Sequence, residues 1–537
     1  MKISSRPPLL SLSAISAGWP LLLLCGLFLG LGLLDHDPWK ADDATHIGIA
    51  LEFAHGGDWL RPRLGGDPWF GAPPLYHWLA ALSGKATAGF LSFAAGARLV
   101  TLCFAALLFW GLSLAARAHD ETSGRGAPLL ILGTLGLLTP IHDAQPWIGF
   151  LAAQSFFLLG LIRLPEHPMR GGIITGLALG LGAWTSGLAA LVLLLPLIFL
   201  SMIGQRHRGT VLASLLMALI LGLGFAALWP MLLHGHHPEL VSRWWSAETM
   251  RLGLKCSGES ILDHLELLGW AAWPILPLAL WALWTLRQRW REPQIVVPLA
   301  SALVALAFIV LCNDARPLNH LPLYPPLALL ATAGVGRLKR GAANALDWFG
   351  MMTFTLTAGL IWLGSVSMMS GQPERVARNF LKAEPGFVGQ LSIPALIAAL
   401  TLTVLWLWTL VRLPKGPWRG VRHWAAGMAF TWGLLALLWM PWFDYGKSYR
   451  PVAISLQDAL GGSHQCIAQS NLGDGQKASL RYFISLRLAP AGDRHCPWLL
   501  TQSSERGEAA PAGWKKVWEG HRPGDKGERL RLYRRSG

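Results

Sequence analysis

The stretch LLDHDPWKADDATH, residues 33–46, decides how the rest of the chain is interpreted. It follows a long run of mostly apolar residues, and such a run is typical of a membrane-spanning helix. It also holds four aspartates, Asp35, Asp37, Asp42 and Asp43, in a chain with only 30 acidic residues among 537. We therefore place this acidic stretch where the first span leaves the membrane.

The composition of the chain is that of an integral membrane protein. Hydrophobic residues make up 53% and charged residues 14% of the sequence, with a mean hydropathy of +0.41. Soluble domains carry roughly 25% charged residues. The net charge of +15 does not indicate nucleic-acid binding, because the basic residues form short clusters between apolar runs, as orientation signals do.

The apolar runs predict an all-α polytopic fold with about thirteen transmembrane helices, at roughly 20 residues per span. The first run has no clear cleavage site, so it is predicted to stay as a span. The predicted spans lie near residues 9–34, 89–116, 127–142, 145–163, 171–186, 187–203, 210–233, 264–286, 295–313, 318–336, 345–369, 391–412 and 422–443.

The connections between these runs predict the orientation. Short basic connections alternate with longer ones, and the positive-inside rule places the basic ones in the cytoplasm. The N-terminus is then cytoplasmic, and the long connections lie outside together with the tail. The outside segments are residues 35–88, 234–263, 370–390 and 444–537.

The tail, residues 444–537, predicts a small extracytoplasmic α/β domain after a transmembrane domain of residues 1–443. Its predicted elements are strands at 465–471 and 497–504, a helix at 475–488 and a hairpin at 514–535. Cys466 and Cys496 lie beside the two strands. In an oxidising compartment they either pair or stay as free thiols.

The first outside loop carries most of the polar chemistry. Asp42 and Asp43 precede a helical pattern that Gly56-Gly57 ends. His46 is four residues after Asp42, so the three ionisable side chains can share one helix face. One aspartate is explained by an N-cap role, whereas two aspartates and a histidine call for solvent or a site.

Further along, the loop contains Gly57-Asp58-Trp59, Pro62-Arg63-Leu64, Gly65-Gly66 and Pro73-Pro74-Leu75, in that order after Asp42-Asp43. This series resembles the first loop of the bacterial aminoarabinose transferases and the related protein O-mannosyltransferases. These are multi-spanning glycosyltransferases of the GT-C type that use polyprenyl-phosphate sugars. Other segments that resemble the family are ARLV (97–100), HDAQP (142–146) and LPLYPPLALL (321–330).

The resemblance implies transfer of a sugar from a polyprenyl-phosphate donor to an acceptor at the outer side of the membrane. It places the catalytic carboxylate at Asp42 and a second acidic position at Asp143, with Asp43 in support. Displacement at an anomeric carbon needs a base, or an ion that positions the acceptor. It also needs cations for the departing phosphate.

Three cations of the family pattern are absent from this chain. Gly71-Ala72 stands in place of Glu-Lys, Thr45-His46 in place of Arg-Tyr, and Ser186-Gly187 in place of Lys-Gly. The candidates for the donor phosphate are therefore Arg61, Arg63, His46 and Arg316, while Arg251 follows the tract HGHHPEL (234–240).

No cofactor is assigned from the sequence. The histidine tract at 234–240 either binds a divalent metal or forms a solvated interfacial loop. The predicted location is the bacterial inner membrane, and the predicted partners are the lipid bilayer, a polyprenyl-phosphate sugar and an envelope acceptor, without nucleic acid. Two alternatives stay open: a degenerate family member that binds lipid-linked sugar without chemistry, and a transporter of such lipids.

Overall fold

The protein is described by a computed structural model over residues 12–34, 36–39, 41–204, 209–253, 258–312, 314–461, 466–489, 495–503, 510–523, 525 and 527–536. Asp35, one of the four acidic residues after the first apolar run, lies outside these residues.

Helices dominate the chain up to residue 460, and each of the thirteen predicted ranges contains one helix or a bent pair. The helices are α1 (Leu12–Gly30), α2 (Asp42–Ala54), α3 (Leu75–Ala86), α4 (Phe93–Ala116), α5 (Glu121–Leu132), α6 (Pro146–Arg163), α7 (Pro168–Ser186), α8 (Leu188–Gly204), α9 (Gly209–His236), α10 (Pro238–Arg251), α11 (Gly258–Ala271), α12 (Ile275–Thr285), α13 (Pro293–Cys312), α14 (Tyr324–Val335), α15 (Arg340–Ser370), α16 (Glu374–Ala383), α17 (Ile393–Arg412), α18 (Arg419–Leu438), α19 (Met440–Lys447), α20 (Arg450–Leu460) and α21 (Asp474–Ile484). Short 3₁₀ turns cover Leu135–Leu137, Arg287–Arg289 and Pro317–Leu323.

Several of these helices can cross a membrane. Among the described residues six are long and apolar enough, namely α4, α6, α9, α13, α15 and α17. The number rises to eight if the bent pairs α11–α12 (93°) and α18–α19 (67°) each form one span. The shorter α1 and α8 are also apolar. The protein is therefore a multi-pass membrane protein, and the full count of about thirteen spans stays a prediction.

Small residues set the spacing of the central helices. A Cβ on Gly160 of α6 would lie 2.8 Å from the carbonyl oxygen of Gly171 in α7. A Cβ on Gly176 of α7 would lie 2.8 Å from the carbonyl oxygen of Ala218 in α9. Glycine lets helix backbones approach closely in a membrane, where dispersion contacts replace the hydrophobic effect. Of the six long spans α6 is the most buried, since 83% of its 18-residue length lies inside the protein.

The first outside loop folds as α2, a two-stranded hairpin and α3. The hairpin strands are β1 (Arg63–Leu64) and β2 (Asp67–Pro68), which pair antiparallel. Gly65 and Gly66 turn between them with φ of +60° and +88°, a region that favours glycine. The predicted end of α2 before Gly56 is confirmed. Both aspartates lie inside the first turn, and Ala41 is the N-cap residue, so the N-cap role considered for one aspartate is wrong.

The tail contains a four-stranded sheet, as predicted. Its strands are β3 (Ile467–Ser470), β4 (Trp498–Ser503), β5 (Trp514–Gly520) and β6 (Arg529–Arg535), in the order β3-β4-β6-β5. β3 and β4 are parallel, and the other pairs are antiparallel. Cys466 and Cys496 form a disulfide with their Cα atoms 4.9 Å apart. The all-α membrane fold with a small C-terminal α/β domain is confirmed, whereas the domain boundary at 443/444 stays a prediction.

Candidate active site

Both carboxylate oxygens of Asp43 accept hydrogen bonds, and the side chain forms a buried ion pair. Arg98 of α4 donates from Nε to Asp43 Oδ1 at 2.9 Å and from Nη2 to Oδ2 at 2.7 Å. The backbone amides of Ala144 (2.7 Å) and Trp39 (3.0 Å) donate to the same carboxylate. Burial alone would raise the pKa of Asp43, but the charge and hydrogen bonds of Arg98 hold it below its usual value.

Arg98 ties this pair to the exit of the first span. Its side chain is fully buried and donates to the carbonyl oxygens of Leu33, His36 and Asp37. We call Asp43, Arg98 and these partners the buried lock. It fixes α1, α2, α4 and the start of α6 relative to one another, so Asp43 holds the site together.

Asp42, the neighbouring residue, faces a polar cavity of about 470 Å³. No described residue forms a hydrogen bond with its carboxylate. Burial raises the pKa of Asp42, and Arg316 opposes the rise. The other residues that line the cavity are Ala41, Thr45, His46, Trp69, Gly71, Ala72, Gln145, Pro146, Trp147, Thr185, Ser186, Arg251, Asp314, Leu318, Asn319, Gly473, Asp474, Gly475 and Gln476, together with Arg316.

The cations of this cavity differ in part from those predicted. Arg316 and His46 line it, as the sequence suggested. Arg251, which follows the histidine tract and was a further candidate to replace a missing cation, also lines it. Arg61 and Arg63 are absent from the described lining, so their assignment to the donor phosphate has no support from the cavity geometry and stays a prediction.

Arg251 stands where the polar cavity meets an apolar one. It donates to the carbonyl oxygen of Gly71 at 2.7 Å and forms an ion pair with Glu248. Glu248 in turn accepts from the backbone amide of Leu188 at 2.9 Å. Glu248 also lines the second cavity, of about 320 Å³, which has mainly apolar walls from α7, α8, α9 and α10.

His46 and His77 form a buried pair between α2 and α3. His46 Nδ1 and His77 Nε2 share a hydrogen bond of 3.0 Å. Burial lowers the pKa of His46 to about 4 and that of His77 well below its ordinary value. Both imidazoles are therefore neutral at pH 7, and His46 presents a polar group to the cavity without a charge.

Asp143 lies behind the lock. Its backbone carbonyl accepts from Thr101 Oγ1 at 2.8 Å, and its side chain is outside the described lining of the cavity. Burial, and next the charge of Asp43, raises the pKa of Asp143 to about 8. This raised pKa favours the protonated form, which can donate a hydrogen bond. The supporting role of Asp143 stays a prediction.

The C-terminal domain forms the roof of the cavity. Gly473, Asp474, Gly475 and Gln476, at the start of α21, lie across from Asp42. Trp69 of the first loop donates from Nε1 to Asp474 Oδ2 at 2.8 Å, and Arg481 pairs with Glu52 of α2 at 2.9 Å. No local sequence pattern predicts this roof, because Trp69 and Asp474 are 405 residues apart in the chain.

The histidine tract joins the first loop. His237 Nε2 lies 2.5 Å from Asp58 Oδ2, and its Nδ1 lies 3.4 Å from Glu239. Within the described ranges, no group of three His, Cys, Asp or Glu side chains has a metal-binding arrangement.

The chain is similar to known bacterial transferases. No family model matches the sequence. The chain is 27% identical over 440 residues to an undecaprenyl phosphate-α-4-amino-4-deoxy-L-arabinose arabinosyl transferase of Pseudomonas aeruginosa strain UCBPP-PA14, covering 78% of this chain and 75% of that protein. A second such transferase, from Pseudomonas fluorescens strain Pf-5, is 25% identical over 433 residues, covering 78% and 70%.

A solved structure extends the likeness to the fold. The crystal structure of ArnT from Cupriavidus metallidurans bound to undecaprenyl phosphate matches with a TM-score of 0.69 and 17% identity, covering 96% of this chain and 98% of that one. In sequence the chain therefore resembles the bacterial aminoarabinose transferases, and it has the fold of ArnT, a multi-spanning GT-C glycosyltransferase.

Proposed function

We propose that the protein transfers a sugar from a polyprenyl-phosphate donor to an envelope acceptor at the outer face of the bacterial inner membrane. One observation carries the proposal. A carboxylate without a described hydrogen-bond partner, Asp42, shares a polar cavity with two arginines, and this cavity borders an apolar one. A lipid-linked sugar phosphate has the same division between a polar head and an apolar chain.

The donor is proposed to lie across this border. Its isoprenoid chain enters the apolar cavity between α7, α8, α9 and α10, and its phosphate reaches Arg251 and Arg316. Arginine suits this task, since its guanidinium presents several donors to phosphate oxygens. These two arginines would replace the cations that Ala72, Thr45 and Ser186 do not supply.

The reaction then follows from the placement of Asp42. An acceptor hydroxyl attacks the anomeric carbon, and the bond from that carbon to the phosphate oxygen breaks. The acceptor proton passes to the Asp42 carboxylate. The phosphate leaves as polyprenyl phosphate, and the arginines stabilise the charge that develops on it. Asp43 positions Asp42 through the lock, and His46 offers a neutral hydrogen bond to the substrates.

We also propose an orientation for the chain. Asp42, the first loop and the C-terminal domain lie at one face, and the positive-inside rule favours the periplasm for it. The N-terminus is then cytoplasmic. The name of the relatives suggests undecaprenyl-phosphate aminoarabinose as the first donor to try. We propose lipid A as the first envelope acceptor to test with it.

The test is transfer by purified protein in liposomes that contain this donor and lipid A, with product detected by mass spectrometry. We expect modified lipid A from the wild-type protein and at least about a hundredfold slower transfer from Asp42→Asn, the loss typical of a general base. Undiminished transfer by Asp42→Asn would reject the assignment. Donor binding without transfer by the wild-type protein, over a panel of acceptors, would favour the degenerate alternative.

A further inference from the structure

The first turn of α21 holds a buried polar atom that the proposed mechanism does not use. Gln476 is 1% exposed and lines the cavity, yet its Oε1 has no hydrogen-bond partner among the described residues. An unpaired buried carbonyl costs free energy, so a ligand that donates a hydrogen bond there would be favoured.

The orientation of the Gln476 side-chain amide is set by its hydrogen bond to Glu528. Gln476 Nε2 donates to Glu528, and Tyr449 donates its hydroxyl to the same carboxylate oxygen. With the nitrogen held there, the carbonyl oxygen lies over Gly473, where an added Cβ would be 2.5 Å away. Gly473 lines the cavity as well. The unpaired carbonyl therefore lies within the cavity wall, between two residues that line it.

The charges of this roof exclude phosphate as its ligand. A helix N-terminus attracts anions, but Asp474 already occupies the first turn of α21. Arg251 and Arg316, on other walls of the cavity, are left for phosphate. The roof thus combines two acceptors, Gln476 Oε1 and the Asp474 carboxylate, whose Oδ2 also accepts from Trp69. The backbone N–H groups of Asp474 and Gly475, in the first turn, have no partner within the helix. Hydroxyl groups on a sugar ring, or an amino group beside a hydroxyl, match this set.

We propose that the first turn of α21 is a sugar-binding subsite. The C-terminal domain then binds the sugar, while the membrane domain binds the phosphate. This inference rests on the proposed function. The sugar is either the one on the donor or the one on the acceptor, and the two sources are separated by experiment.

The test compares the full-length wild-type protein with Gln476→Met and Gly473→Ala. Gln476→Met removes the carbonyl, and Gly473→Ala displaces it while leaving Nε2 3.7 Å from the new methyl group. Tyr449→Phe is the control, because it removes the other donor to Glu528 and keeps the Gln476 carbonyl. Two lipids are titrated, undecaprenyl phosphate and undecaprenyl-phosphate aminoarabinose, and the KM for lipid A is measured in parallel.

We expect both variants to weaken binding of the sugar-bearing donor about tenfold, as the loss of one or two hydrogen bonds does, and to leave bare undecaprenyl phosphate within about twofold. A tenfold rise in the KM for lipid A, with donor binding unchanged, would assign the subsite to the acceptor sugar instead.

Three results would overturn the subsite: no change in either arm, equal weakening of both undecaprenyl lipids, or the same loss from Tyr449→Phe. A wild-type protein that transfers sugar while the variants match it rejects the subsite alone. A wild-type protein that binds donor and acceptor without transfer rejects the proposed function, whatever Gln476 does.

Discussion

Two consecutive residues of one helix occupy opposite kinds of surroundings. Asp43 has its carboxylate filled by Arg98 and two backbone amides, whereas Asp42 faces a cavity with two arginines nearby. The charge of Asp43 stabilises the fold through its ion pair with Arg98, whereas the charge of Asp42 remains available to bind substrate. Two adjacent aspartates can therefore have different roles, with the fully buried Asp43 positioning the half-buried Asp42.

The largest effect is expected from breaking the buried lock. Arg98→Met removes the cation and leaves Asp43 buried without its partner, which typically costs about 3–5 kcal/mol. We expect a large loss of folded protein in detergent and a lower Tm. Arg243→Met, an exposed residue of α10, is the control. An Arg98→Met protein with the yield and Tm of the wild type would show that the lock is dispensable.

Removing a cation from the cavity should act on binding more than on folding. Arg251→Gln is expected to weaken undecaprenyl phosphate binding roughly tenfold or more, because a charged hydrogen bond contributes about 1.5–3 kcal/mol. Arg243→Gln lies on the same helix and serves as the matched control. Since Arg251→Gln leaves Glu248 unpaired, the double variant with Glu248→Gln is titrated as well. Binding at wild-type strength in both would remove Arg251 from the phosphate site.

The pH dependence of transfer should report on Asp42. Its pKa is raised by burial, so the carboxylate that accepts the proton is lost as the pH falls through a value above the usual Asp range. Arg316 opposes that rise, and Arg316→Gln should therefore move the acidic limb of kcat/KM to higher pH. A pH–rate profile measures the shift. Movement toward lower pH, or none, would separate Asp42 from the base role.

The smallest effect on transfer is expected from breaking the contact between the first loop and the C-terminal domain, at Trp69 and Asp474. Trp69→Phe keeps the aromatic ring and removes the hydrogen bond to Asp474, which contributes about 1 kcal/mol. We expect transfer to slow by a few-fold with little change in Tm. A loss as large as that of Asp42→Asn would mean that Trp69 takes part in the chemistry.

Much of the fold was predictable from the sequence, because apolar runs and glycine turns are local signals. The thirteen helical ranges, the end of α2 and the sheet of the tail all follow from them. The different surroundings of Asp42 and Asp43 could not be predicted, because they depend on Arg98, which is 55 residues away from Asp43. Arg251 and Gln476 reach the cavity only through packing between distant segments, and no spacing in the sequence indicates that.

The central claim is tested most directly by Asp42→Asn and Asp43→Asn, measured side by side for Tm and for kcat. The account predicts that Asp42→Asn keeps the wild-type Tm and loses transfer. It also predicts that Asp43→Asn lowers the Tm by several degrees, because it weakens a buried ion pair. Transfer by Asp42→Asn at the wild-type rate, or an unchanged Tm in Asp43→Asn, would contradict the division of roles between the two aspartates.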